Sequence, residues 1–447
     1  MNDKSRRKFI KDTAMGTMAV TVGGLGLSAR SYAAIPGANE KIRVAVFGLK
    51  RRFSAIRDSL AELPEAEITW LCDIDERQIE KGLASVKEQL GQNPKTHTDL
   101  REILQKKDVD AVFIAIPDHW HAHATWMALE AGKHVYVEKP ASHNPREGEL
   151  MVSAWKKYNL ACQMGAQQRS SVESQEIIGE IHDGVIGDVY MAQAFYINQR
   201  GEVPPARVVP VPDYFDWELF QGPAPRTDFI NILEDYMWHW YWEWGTGETG
   251  NNATHEVDMG RWALQGKYPE KVSVNGGKFH FRDDPWVMYD TMDASFTFPG
   301  NRILKWDGKS RNAYQTYGAD RGTIIYGSEG SVFVNRGGYR LYDRTGKMIR
   351  ERKMQGNESS TGLGGGGSMT TRHIRNFFEA IKGKEKLNMP IDEGAISTML
   401  CHYGNISYRM GNKDLEVNPE TGWIKTRGAE QFWSRDYEPG WEPPGDL

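Results

Sequence analysis

The stretch KIRVAVFGLKRRFSAIRDSL, residues 41–60, reads as a strand, a turn and the start of a helix. KIRVAVFG is β-branched and almost continuously apolar, which suits a strand covered on both faces. The turn that follows opens a dinucleotide-binding domain only if it admits a pyrophosphate. Such turns want glycine at three points: for the tight bend, for room beside the phosphates and for close helix–strand contact. Gly48 supplies the first, whereas Lys50 and Phe53 stand where the other two fall. Charge compensates in part, because Lys50, Arg51 and Arg52 put three cations at the expected phosphate site. Asp73, which closes the next apolar run, is placed to accept hydrogen bonds from the adenosine ribose hydroxyls and to repel a 2′-phosphate, so NAD is expected ahead of NADP. Loss of cofactor binding is the competing reading of the missing glycines.

Outward from this stretch the pattern alternates. AEITWLCD (66–73), VDAVFIAIP (109–117), HVYVEKP (134–140) and LACQMG (160–165) are further strand-like runs, separated by helix candidates at 54–63, 75–90, 99–105, 121–131 and 145–158. Strict alternation predicts an α/β, Rossmann-type, doubly wound parallel sheet with its ligand crevice beyond the strands' carboxyl ends. After about residue 167 the texture changes to longer alternating runs: VYMAQAFYIN (189–198), KVSVNGGKFHF (271–281), DASFTFPG (293–300), RILKWDG (302–308) and GTIIYGSEGSVFVN (322–335). These predict a C-terminal α+β domain on a large, mostly antiparallel open sheet, closed by helices at 372–381 and 396–410. GLGGGGS (362–368) reads as a surface loop, because no strand precedes it closely.

SRRKFIK at 5–11, the weakly apolar, glycine-rich segment 14–27 and SYA at 31–33 resemble a twin-arginine (Tat) export leader. The segment is too short and glycine-rich for the ~20 apolar residues that span a bilayer. The domains are therefore drawn at 1–33 for the leader, 34–166 for the NAD-binding domain and 167–447 for the substrate and oligomerisation domain. A periplasmic protein without stable membrane insertion is expected. The net charge of −5 and the lack of any long basic tract after the first dozen residues argue against a nucleic-acid partner. Cys72, Cys162 and Cys401 are odd in number and widely spaced, so no disulfide framework is expected.

HVYVEKPASHN delivers Glu138, Lys139 and Pro140 at a strand's carboxyl end, and the proline biases Lys139 away from helical geometry, toward the crevice. Together with IAIPDHWHAHAT, EAGKHVYVEKP and CQMGAQQR, this resembles the Gfo/Idh/MocA oxidoreductases, the glucose-fructose oxidoreductase and inositol dehydrogenase family. The resemblance implies that Lys139 reaches substrate and nicotinamide, that Pro117, His121, Glu138 and Gln167 lie along the cofactor, and that Arg169 orients the substrate. His119, His121 and His123 alternate; on a helix, residues two apart point to different sides and cannot close on one ion, so no metal site is expected.

The second constellation is WHWYWEWGTGETGNNATHEVDMGRWAL at 238–264. As a strand its first half would put Trp238, Trp240, Trp242 and Trp244 on one face, a wall that suits sugar stacking or plain core equally. A helix beginning near Asn251 would carry His255 and Asp258 inward. The family commonly has Asp four residues before this histidine, and here Asn251 stands there. The resemblance implies that this carboxylate tunes His255, which takes the hydroxyl proton. With Asn251 in its place the role shifts to Asp258, to Glu248 or to Lys139 itself acting as base, and Lys139 and His255 are expected to handle the proton, with Asn251 and Asp258 beside them. The function that follows is an oxidoreductase, NAD-dependent, acting on a secondary alcohol of a sugar, glycoside or cyclitol, with homo-oligomers expected. One alternative is a glycosidase that oxidises its substrate transiently, eliminates the aglycone and returns the hydride; another is a non-catalytic sugar-binding protein.

Overall fold

The computed structural model describes residues 41–233, 236–354 and 368–447; the leader and the glycine run at 362–367 lie outside them. The first sheet is built of β1 (Ile42–Phe47), β2 (Ala66–Cys72), β3 (Lys95–His97), β4 (Ala111–Ile114), β5 (His134–Glu138) and β6 (Cys162–Gly165), in the order β3-β2-β1-β4-β5-β6. Every pairing in it is parallel. β1 and β4 are buried along almost their whole length, which is why their sequences show no alternation.

The crossovers are α1 (Arg51–Ala61), α2 (Glu76–Leu90), α3 (Leu100–Leu104), α4 (Asp118–Glu130) and α5 (Pro145–Tyr158). Local chemistry sets their ends. The Asp75 side chain caps α2 at Arg77 N and Gly91 stops it at φ +67°; Asn144 caps α5 at Glu147 N, Pro145 opens it and Asn159 ends it in the left-handed region.

The second sheet has nine strands in the order β14-β13-β12-β11-β7-β10-β9-β8-β15. They are β7 (Val189–Ile197), β8 (Lys271–Gly277), β9 (Thr291–Phe298), β10 (Arg302–Lys309), β11 (Arg321–Gly327), β12 (Gly330–Asn335), β13 (Gly338–Asp343), β14 (Met348–Lys353) and β15 (Leu415–Glu416). Only β7 and β10 run parallel, so the sheet is mixed and mostly antiparallel. On the chain between these strands lie α6 (Val172–His182), which precedes β7, α7 (Trp217–Gln221) and α8 (Thr254–Leu264); α9 (Ser368–Ile381) and α10 (Ile391–Arg409) come near the end. β13 and β14 escape the sequence reading; β14, MIRERK, is a charged edge with almost every residue exposed and shows no apolar alternation.

Spatial and sequential neighbours part company at α9. Ile374, Phe377 and Phe378 join Ile42, Val46 and Phe113 in one core cluster, so a helix from the far end of the chain completes the packing of the first sheet. Phe377 is fully buried, with its ring edge-on to Phe113 and Tyr136, 5.9 Å from each. Phe377→Ala is expected to cost about 3–5 kcal/mol, read as a shift of the urea transition that reports on the first sheet.

Candidate functional site

A cleft of about 1300 Å³, open mouth included, runs along the carboxyl ends of β1, β2, β4 and β5, where an open α/β sheet of this strand order places its ligands. At its centre is the β1–α1 turn. Gly48 has φ +90°, and a Cβ there would sit 2.2 Å from the Ala115 carbonyl oxygen, so this glycine is required by both conformation and space. Lys50 stands at the N-cap of α1 without a side-chain capping hydrogen bond, and Phe53 N donates to its backbone carbonyl at 3.1 Å, so the start of this helix, where anions are favoured, opens onto the cleft that Lys50 and Arg51 line.

The three cations do not act alike. Lys50 and Arg51 line the cleft, with Lys50 Nζ 3.7 Å from Asp75 and the Arg51 guanidinium 4.6 Å from the Tyr236 ring centroid. Arg52 lines it too, but donates to Glu138 at 2.7 Å, which offsets its charge beside the EKP strand. Phe53 points into the α1 core at 4% exposure and does not line the cleft: the position read as the third fingerprint glycine faces the protein interior.

Asp73 lines the far end. Its oxygens accept from Leu49 N at 2.7 Å and Asp75 N at 3.0 Å, each keeping a lone pair for a further donor. Burial pushes its pKa up to about 6, against the two backbone N–H groups and Lys50. Over this end lies a roof from the second domain. Phe215 lines the cleft and bridges to Asp75; Glu76 N donates to Tyr214 O, Asp216 N donates to Ile74 O, and the Arg77 guanidinium stacks 3.6 Å from the Tyr214 ring.

The histidines of α4 serve three separate segments. His119 nitrogens face the Phe220 and Trp244 carbonyls at 2.7 and 3.2 Å, His121 faces Pro140 O at 2.6 Å and Ile116 O at 2.8 Å, and His123 Nε2 faces Trp441 O at 2.8 Å. Of these only His121 lines the cleft, beside Pro117. Among the described residues no group of three His, Cys, Asp or Glu is arranged to hold a metal ion.

At the other end stands Lys139. Its ammonium donates to the Asn251 backbone carbonyl at 2.6 Å and to the Asn251 side-chain oxygen at 3.2 Å. The Tyr236 hydroxyl bonds the same amide, 2.9 Å from Nδ2 and 3.2 Å from Oδ1. Asn251 sits in a π turn, Thr249–Ala253, that leads into α8, and Asp118 fixes the chain three residues before that turn by accepting from Thr246 N and Oγ1. Burial lowers the Lys139 pKa, with Arg336 and Arg321 lowering it further and Asp118 and Glu138 opposing. Glu138 is held from behind by Gln167 at 3.0 Å, and Gln167 itself lies off the cleft.

The remaining expectations are redistributed. His255 is 7% exposed and is not among the residues lining this cleft; burial, then Arg336, Lys139, Arg321 and Arg52, hold its pKa well below the usual value. Asp258 is committed to Arg169 through two bonds of 2.7 and 2.8 Å and to Ser397 at 2.6 Å. Arg169 and Asp258 therefore form a buried pair away from the cleft, and Arg169 does not point at a ligand there. Glu248 is likewise held by Arg200 and Ser310. Neither carboxylate replaces the one that Asn251 lacks.

The tryptophan wall is not a strand. Met237–Trp240 is a 3₁₀ turn, and Tyr241, Trp244 and Gly245 continue in local turn bonds. The physical reason is that each indole finds a different burial site. Trp240 packs on Trp286 at 4.1 Å, Trp244 joins the Phe215–Trp217–Phe220 cluster, Trp242 lies under Arg409, and only Trp238 faces the cleft. Sequence reasoning missed Phe215, Tyr236 and His239 as cleft residues. Nothing local marks the first two, and His239 was visible only as the odd member of WHW.

Comparison with known proteins agrees with this fold. The family model described as the oxidoreductase family, NAD-binding Rossmann fold, matches residues 42–166, and that of the GFO/IDH/MocA C-terminal domain matches residues 220–333. Among curated proteins, Glycosyl hydrolase family 109 protein 1 of a Shewanella species is 24% identical over 216 residues, 44% of this chain and 47% of that protein. Alpha-N-acetylgalactosaminidase of Shewanella oneidensis is 23% identical over the same shares. The chain thus spans about half the length of these relatives. Aldose-aldose oxidoreductase from Caulobacter crescentus superimposes with a TM-score of 0.62 at 17% identity, covering 85% of this chain and 100% of that one. Levoglucosan dehydrogenase, in complex with NADH and levoglucosan, does so at 0.62 and 18%, covering 84% and 99%. At these identities the likeness to solved structures carries the fold.

The Asp73 carboxyl gives a test of the ribose end. Its raised pKa means the carboxylate predominates only above about pH 6, so NAD affinity, measured by titration calorimetry, is expected to fall roughly tenfold from pH 7 to pH 5. Asp73→Asn is expected to bind more weakly at pH 7 and to lack that dependence.

Proposed function

The chain belongs to the Gfo/Idh/MocA oxidoreductases, whose two domain models together match just over half of it, and on that premise we propose an exported enzyme moving hydride between a secondary alcohol of a sugar, glycoside or cyclitol and a tightly held NAD. The observation that carries the proposal is Lys139, whose ammonium meets Asn251 at 2.6 and 3.2 Å on the wall of the cleft that Gly48 and Asp73 also line. The residues present fit the dinucleotide: Gly48, Lys50 and Arg51 would hold the pyrophosphate, Asp73 the ribose, and Pro117 and His121 the nicotinamide end. When bound, NAD supplies the hydride acceptor.

The chain's own groups do the rest. Lys139, desolvated and aimed by Asn251, hydrogen-bonds the reacting hydroxyl and polarises it. His255 is kept neutral by burial and by the cations around it, and it is not among the residues that line the cleft. Trp238 offers the sugar an aromatic face. The roof of Tyr214 to Asp216 over the ribose end supports a cofactor that stays through turnover, as an enzyme working outside the cytoplasm needs; the twin-arginine leader at 5–11 supports that location.

A second reading, transient oxidation followed by aglycone elimination and return of the hydride, is favoured by the curated relatives, which are named glycosyl hydrolases. NMR of products formed from a panel of free sugars and aryl glycosides separates the two. An accumulating keto-sugar supports net oxidation, and a released aglycone without net redox supports cleavage. Under either reading Lys139→Met is expected to lower kcat by ~10²–10⁴-fold while leaving bound NAD in place; a fully active K139M enzyme would overturn both.

A further inference from the structure

His239 enters the cleft from the 3₁₀ turn Met237–Trp240. Its ring is held between two others, 3.6 Å from Trp238 and 4.1 Å from Tyr236 between centroids, which leaves it one setting. Nδ1 lies 2.9 Å from the Tyr236 backbone carbonyl. A carbonyl can only accept, so Nδ1 carries the proton, and in the neutral imidazole Nε2 keeps its lone pair. No described residue is hydrogen-bonded to Nε2. His239 lines the cleft, and His255 is not among the residues that line it.

The surroundings keep that lone pair available. His239 is 7% exposed, and burial holds its pKa well below the usual value, with Lys139 from the end of β5, Arg200 from beyond β7 and Arg51 from α1 disfavouring protonation and the bond to Tyr236 O opposing. Arg200 is itself paired with Glu248 at 2.8 Å. Lys139 has its ammonium directed at Asn251 and acts as a donor. The acids near Lys139 are each committed, Asp118 to Thr246, Glu138 to Arg52 and Gln167, Glu248 to Arg200 and Asp258 to Arg169, and Asn251 stands where a carboxylate would.

We propose that His239 is a further proton-accepting residue of this site: Nε2 receives the hydrogen bond of the substrate hydroxyl and takes its proton as the alcohol is oxidised. The O–H bond breaks and its electron pair becomes the new C=O bond, while the C–H electron pair leaves as hydride to the nicotinamide co-reactant. The imidazolium returns the proton in the reverse direction. The inference rests on the oxidoreductase reading above and adds a residue to it.

Two variants and one spectroscopic signature test it on the NAD-loaded protein. His239→Asn reproduces the Nδ1–H donor to Tyr236 but has nothing at Nε2, and His239→Gln places an amide near Nε2. H239N is expected to lower kcat ~10²–10³-fold on any sugar the wild type turns over, with bound NAD and melting temperature retained. Histidine-selective ¹⁵N NMR of the wild type is expected to show one imidazole, lost in both variants, that is neutral and protonated at Nδ1, with its Nε2 signal moved by sugar. An Nε2–H tautomer, or an H239N enzyme within about twofold of wild type, overturns the assignment. Should H239N fail to fold, the wild-type tautomer decides alone. A wild type that holds NAD and turns over no sugar overturns the oxidoreductase reading and this inference together, whereas turnover with an unimpaired H239N overturns only the inference.

Discussion

The interaction on which the rest depends joins one ammonium to one asparagine. Lys139 comes from the end of β5 in the first sheet and Asn251 from the π turn before α8, which packs on the second sheet. Neither sheet makes a site alone. The parallel sheet supplies a crevice and a cation, and the mixed sheet supplies the carbonyl and amide that aim the cation. Removing a buried charge's hydrogen-bond partners is costly, so a substrate hydroxyl that replaces one of these bonds meets a group already desolvated and oriented. That is the preorganisation on which electrostatic catalysis relies.

Commitment of the surrounding acids shapes the chemistry as much as the lysine does. Asp258 with Arg169, Glu256 with Arg321 and Glu248 with Arg200 are buried pairs. Such pairs satisfy their own charges and are not available to a neighbouring histidine. Burial first, and then the cations around them, keep the histidines near Lys139 neutral. With Asn251 in place of a carboxylate, no acid among the described residues hydrogen-bonds the Lys139 ammonium.

The first domain was legible in the sequence because its signals are local. Almost unbroken apolar runs mark β1 and β4, and Asn144, Pro145 and Asn159 punctuate α5 at both ends. Gly48, Asp73 and Lys139 were found for the same reason, each standing at the end of a strand. What resisted reading was set by long-range packing. The WHWYWEW alternation satisfies a strand template, yet its indoles are drawn to four different places, and a two-residue period cannot report that. Arg169 and Asp258 look like site residues one at a time, and only the folded chain shows that they answer each other. The roof carried by Tyr214 and Phe215 has no signature, because its partners, Ile74, Asp75 and Glu76, lie in another domain.

The central claim is that the cleft beneath this roof belongs to a dinucleotide despite two missing glycines. The direct measurement is the NAD(H) content of gently purified protein, released by denaturation and quantified by mass spectrometry. The account predicts close to one nicotinamide dinucleotide per chain, retained through gel filtration. Protein that purifies empty and takes up no NAD on titration would contradict it.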